Sequence, residues 1–143
     1  MKIRQLSVFI ENKPGRLFAA MDILAKNGIN ISVLSIADTS EFGILRLIVN
    51  DPDKAKTVLK EAGIVVKVSN VVAIAMDDAP GGSVGILRSL AEASLNVEYI
   101  YACVCKPADK ALMIIRTDDS DKAEAVLRAS GHCDIDPSDI YCI

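Results

Sequence analysis

The chain has 143 residues, too few for two average domains and enough for one. Apolar residues make up 51% of it and aromatics 4%, which excludes a disordered chain. Sixteen basic against nineteen acidic side chains give a net charge of -3, without the basic excess that neutralises phosphates, so nucleic acid is not an expected partner.

No apolar run approaches the roughly 18 residues that span a bilayer. The start, Met1-Lys2-Ile3-Arg4-Gln5, lacks the apolar stretch of a signal peptide. A cytoplasmic protein without membrane attachment is therefore expected. Cys103, Cys105, Cys133 and Cys142 all fall in the last third, where they would not staple the whole chain, so reduced thiols are the simpler reading.

In chain order, Leu6, Val8 and Ile10 alternate with Ser7, Phe9 and Glu11, the period of a strand. Pro14-Gly15 ends it. Leu17, Met21, Leu24 and Ala25 recur at helical spacing and Gly28 closes the helix. Ile29, Ile31 and Val33 predict a second strand, Asp38 to Gly43 a turn, and Leu45, Leu47 and Val49 a third strand. Asn50 or Asp51 caps a second helix with Pro52 in its first turn, an apolar stripe over Ala55, Val58, Leu59 and Ala62, and a stop at Gly63. Val65 to Val68 makes a fourth strand.

The order βαββαβ then repeats. At an offset of 66, Pro14-Gly15 falls on Pro80-Gly81, Leu24-Ala25 on Leu90-Ala91 and Asn30 on Asn96; at 68, Asp51, Lys54, Leu59 and Gly63 fall on Asp119, Lys122, Leu127 and Gly131. The second copy is expected to have strands at Val71–Met76, Val97–Cys105, Lys110–Thr117 and near Ile140–Ile143, and helices at Gly82–Ala93 and Asp119–Ser130. The expected fold is α+β: two tandem ferredoxin-like βαββαβ copies, residues 1–69 and 70–143, each an antiparallel sheet with helices on one face. Phe9, Ile44 and Ile48 would lie on the other face, with Leu34 and Ile36 nearby, as an interface. Residues 1–70 are net +3 and residues 71–143 net -6, a difference that favours one half meeting the other.

In each copy the first strand runs into a Pro-Gly turn and a helix. Amides around Gly15, Arg16 and Leu17 lack intrahelical acceptors, and a helix start suits a carboxylate. Asn12 both donates and accepts hydrogen bonds. A free amino acid offers a carboxylate to the amides and an ammonium to amide or carbonyl oxygens. The plain alternative is a strand–helix turn with Asn12 as a cap.

The run Glu11-Asn12-Lys13-Pro14-Gly15-Arg16-Leu17, followed after a helix by Gly28-Ile29-Asn30-Ile31, resembles the signature of the ACT domain, a small regulatory module that binds amino acids. The second copy, Asp77-Asp78-Ala79-Pro80-Gly81-Gly82-Ser83 and Leu95-Asn96-Val97, resembles it in part. The resemblance implies pairing of domains edge to edge, with an amino acid at the interface. One site would use Asn12, Pro14, Gly15, Arg16 and Leu17 with Asn30 facing it. The other would use Asp78, Pro80, Gly81, Gly82 and Ser83 with Asn96. Serine-sensing members have a histidine two residues before the Asn12 position; Ile10 and Met76 stand there, which argues against serine. Asp78 in place of Asn could pair with an ammonium. The two copies use up the chain, so the resemblance implies a non-enzymatic sensor or regulatory subunit. It would be a homodimer without cofactor, acting on a metabolic enzyme.

Other readings compete. Cys103, Cys105, His132 and Cys133 form an imaginable zinc site, though i,i+2 spacing on a strand is not that of common zinc motifs; no metal is expected. Arg16 and Asn30 imitate the pair of an acylphosphatase-type enzyme, but its glycine-rich loop is missing. Tyr99 and Tyr101 lie on an edge strand without the aromatic run of an RNA-recognition motif. A purely structural interaction module is the remaining alternative.

Overall fold

The computed structural model describes residues 1–38, 41–104, 110–132, 135 and 140. Among the described residues it is an α+β structure of antiparallel strands and helices. The chain divides into two compact units: a first unit, Arg4–Ser69, and a second, Asn70–Ile143 together with Met1–Ile3.

The first unit is built from β1 (Lys2–Glu11), α1 (Arg16–Lys26), β2 (Ile31–Asp38), β3 (Phe42–Val49), α2 (Pro52–Glu61) and the start of β4 (Val65–Asp77). Its strands lie in the order β2-β3-β1-β4. Leu6, Val8 and Ile10, alternate residues of β1, face Leu24 of α1 and Leu59 of α2 in one core with Leu45 and Leu47. Burying each of these side chains contributes about 1.5–3 kcal/mol. The helices α1 and α2 pack side by side. The cap of α2 is Asp51, whose Oδ1 accepts the Lys54 amide at 3.0 Å, with Pro52 following it.

The second unit continues with the rest of β4, α3 (Val84–Glu92), β5 (Val97–Val104), β6 (Lys110–Thr117) and α4 (Ser120–Ala129). Its core joins Val72 and Ile74 of β4 to Ile86, Leu90, Met113, Ile115 and Leu127. Asp119 caps α4, accepting the Lys122 amide at 2.9 Å, the counterpart of Asp51 and Lys54.

Three expectations change. First, Val65–Val68 and Val71–Met76 are not two strands but parts of the single strand β4. Second, the sheet position expected for Ile140–Ile143 is held by the N-terminus. Ala73 and Met1 exchange both backbone hydrogen bonds, at 2.7 and 2.8 Å, as a hydrogen-bonded antiparallel pair does. Ile140 is helical and fully buried, and residues 141–143 lie outside the described ones. Lys2 fastens the N-terminal segment to α4: its amide donates to Glu124 Oε1 at 2.9 Å and its Nζ pairs with Asp121. The salt bridge holds the Lys2 ammonium above its ordinary pKa.

Third, Leu34 and Ile36 do not lie beside Phe9. An irregularity in the pairing between Ile31 and Val33 moves them into register with Leu47 and Leu45, on the helix side of an edge strand. They remain exposed there. On the far face Ile44 is half-buried, Ile48 is fully buried, and its cross-strand partner Val33 is buried too. Of the expected far-face patch only Phe9 stays exposed. The second unit repeats the irregularity between Val97 and Tyr99, placing Ile100 and Val104 opposite Ile115 and Ala111 on its own edge strand.

Candidate functional site

Gly15 begins α1 with φ +83°, a left-handed conformation that favours glycine, and nothing lies within 4 Å of where its Cβ would be. The turn is open, and a ligand can approach its backbone. Arg16 was expected to offer a free amide, but its N–H donates to Lys13 O at 3.3 Å, because the turn closes on itself before the helix begins. Among the described residues the Leu17 and Phe18 amides have no acceptor. Asn12, Pro14, Arg16 and Leu17 are exposed, and the Asn12 amide is tied to Glu41 O at 2.9 Å, which anchors the turn to the start of β3.

Glu11 organises the charge at this turn. Its Oε2 lies 2.8 Å from Lys13 Nζ and 3.9 Å from Arg16 Nη2. The Lys13 hydrogen bond, and then the charges of Lys13 and Arg16, hold the Glu11 carboxyl below its ordinary pKa. This preference is fully expressed above the ordinary carboxylate range and is lost as pH falls through the lowered pKa. In Lys13→Ala the Glu11 midpoint should rise toward its ordinary value, as followed by carboxyl-carbon chemical shifts; an unchanged midpoint would show that Lys13 does not set it.

The second unit has the same design with a different turn. Gly81 takes φ +84°, and α3 starts at Val84, two residues later than the repeat predicts. Gly82 and Ser83 are thus in the turn rather than the helix. The Gly82 amide donates to Ala79 O and the Val84 amide to Gly81 O. Asp78, Pro80 and Gly81 are exposed. A Cβ on Gly82 would lie 2.1 Å from the Asp77 carbonyl oxygen, so this glycine is required by the turn itself.

Asn30 and Asn96 are not brought to these turns within their own units. The Asn30 amide donates to Asn50 Oδ1 at 3.1 Å and its carbonyl accepts the Asn50 amide at 3.2 Å. Asn96 and Asp118 repeat this pair at 3.1 and 3.2 Å. Asn50 follows the last residue of β3, whereas Phe42, at the other end, is paired with Glu11. Asn30 and Arg16 are therefore separated by the length of that strand, on the order of 25 Å. The acylphosphatase-type pairing of Arg16 with Asn30 fails inside one unit.

The profile of the ACT domain pair matches residues 1–135. The chain belongs to this family. It is similar to protein BT0572 from Bacteroides thetaiotaomicron, with 38% identity over 100% of this chain and 98% of that one and a TM-score of 0.91. The fold is shared with regulatory subunits of aspartate kinase. That of Thermus flavus has 18% identity over 91% of this chain and 90% of its own, with a TM-score of 0.64. The ligand-free form from Thermus thermophilus has 16% identity over 89% and 91%, with a TM-score of 0.60. No curated protein matches the chain.

In this ACT domain pair, Asn50 and Asp118 are partners that sequence reading left without that role; their signal is a short polar acceptor at corresponding places in the repeat. Among the described residues no group of three or more His, Cys, Asp or Glu side chains is placed to hold a metal. Cys105 and Cys133 of the imagined zinc site lie outside them. No helix among the described residues is long and apolar enough to cross a membrane.

Proposed function

We propose that the chain is a non-enzymatic regulatory protein made of two tandem ACT domains, residues 1–69 and 70–143. It binds a free L-amino acid where ACT domains meet and acts as a sensor or regulatory subunit for a metabolic enzyme. The turn residues Asn12, Pro14, Gly15, Arg16 and Leu17 of one domain face Asn30 of a neighbour. The corresponding residues of the second domain are Asp78, Pro80, Gly81, Gly82 and Ser83 with Asn96, and the two sites are not equivalent, since α3 starts later and Gly82 stands where the first domain has Arg16. The family assignment and the open turn at Gly15, with two amides lacking acceptors, support this reading.

The neighbour is a second copy meeting an exposed edge strand. Leu34 and Ile36 on β2 are exposed, as are Leu17 and Phe18 on α1, the latter by 72%. An apolar edge strand left open in a soluble domain invites pairing with another strand. A homodimer joined there would carry Asn30 of one copy toward the turn of the other, which no single unit achieves. A bound amino acid then favours one arrangement of domains over another, and a partner enzyme reads the shift.

A thermal-shift screen of the twenty amino acids tests the role. At 100 times its dissociation constant, a ligand adds about 2.7 kcal/mol. Asn12→Ala should remove the response of the first site without altering the fold, since the Asn12 side chain is exposed and the bond that anchors the turn comes from its backbone amide, which alanine keeps. No response of the folded protein to any amino acid would refute ligand sensing.

A further inference from the structure

The first unit contains a recess of about 410 Å³ beside the turn, between the end of β1, the first half of α1 and the connection from α2 to β4. Its wall is apolar, with Ile10, Ala19, Ile23 and Ile64, and Arg16 and Glu11 also line it. Small-molecule pockets run from roughly 300 to 1,000 Å³ and combine apolar walls with a few polar groups.

The second unit has different side chains at the repeat's corresponding positions. Ala19 becomes Gly85, Ile23 becomes Ser89 and Ile64 becomes His132. There the Ser89 Oγ lies 3.1 Å from His132 Nε2 and bonds to Gly85 O at 3.1 Å. A Cβ on Gly85 would come within 3.3 Å of His132 Cε1, so the imidazole lies directly over the helix backbone. A polar, hydrogen-bonded pair, Ser89 and His132, thus stands where the first unit's recess has the apolar wall residues Ile23 and Ile64.

We propose that the first unit's recess receives the apolar side chain, branched aliphatic or aromatic, of a free α-amino acid, while Arg16 and Glu11 take its carboxylate and ammonium. This rests on the amino-acid-sensing reading and adds to it the ligand class and the stoichiometry. The positive and negative groups in one apolar recess match a zwitterion with a hydrophobic tail. The second unit has Gly82 in place of Arg16 and the Ser89–His132 pair in place of the apolar wall, so one ligand binds per chain.

Calorimetric titration of the full chain with L-leucine, L-valine and L-phenylalanine, against L-serine, L-aspartate and L-lysine, tests this. At least one apolar amino acid should bind with one site per chain, at least about tenfold tighter than the polar ones. Ala19 is exposed, so Ala19→Trp fills the recess without disturbing the core and should weaken that binding at least tenfold, with the circular dichroism unchanged. Equal binding of polar amino acids, two sites in the unaltered chain, or undiminished binding in the folded Ala19→Trp variant would overturn the inference and leave sensing intact. Silence from all twenty amino acids would overturn both.

Discussion

Replacing Gly82 by alanine should destabilise the protein by about 3 kcal/mol, the upper range for forcing an extra carbon into a packed site. Its φ is not among the left-handed ones, so the effect is steric rather than torsional. The new Cβ would meet the Asp77 carbonyl oxygen at 2.1 Å and the Ala79 carbonyl oxygen at 3.2 Å. Both are backbone atoms and cannot swing away as a side-chain end can. The Gly82 amide is also tied to Ala79 O at 3.0 Å, so relief by moving the turn sacrifices a hydrogen bond. Gly81→Ala is the control: its site is open, and the cost is that of a left-handed φ alone, about 1–2 kcal/mol. Urea denaturation of both variants measures the difference. Equal stability of Gly82→Ala and the unaltered chain would show that the turn rearranges freely.

Deleting Met1–Ile3 should cost about 4 kcal/mol, within the span for removing a large buried aliphatic side chain. Ile3 is 7% exposed, and the segment supplies both backbone bonds to Ala73 and the amide bond to Glu124. The exposed Lys2–Asp121 pair adds little in water. Ile3→Ala alone should account for about half of the loss. Hydrogen exchange gives the residue-level check: the Ala73 amide, now bonded to Met1 O, should lose its protection in the deletion variant. Retained protection would mean that another segment takes the strand's place. An uncovered edge also predicts association of the shortened chain at high concentration.

Much of each unit was legible locally. Asp51 and Asp119 announce their helices because a capping carboxylate acts within three residues, and the Leu6, Val8, Ile10 alternation identifies a strand packed on one face. What failed was set at a distance. Ser69-Asn70 reads as a joint between copies, yet backbone pairing does not depend on side-chain polarity, and β4 runs through it. Nothing in Met1-Lys2-Ile3 says that its partner is Ala73. The pairing irregularity after Ile31 changes which face Leu34 occupies, and it leaves no mark beyond an ordinary serine at Ser32. At the candidate site, the repeat pointed to both turns. It could not foresee that Gly82 is held by carbonyl packing, or that His132 lies over α3.

The place of Met1–Ile3 also imposes an order on synthesis. Met1 and Ala73 are 72 positions apart, so at 5–20 residues per second the ribosome releases one about 4–14 s before the other. Met1 must wait through that interval, while the residues between them emerge, before its partner in the sheet exists. Closing so long a separation is slow compared with local helix formation. A bulky group fused ahead of Met1 would therefore hinder a join that forms only after 72 further residues have been made.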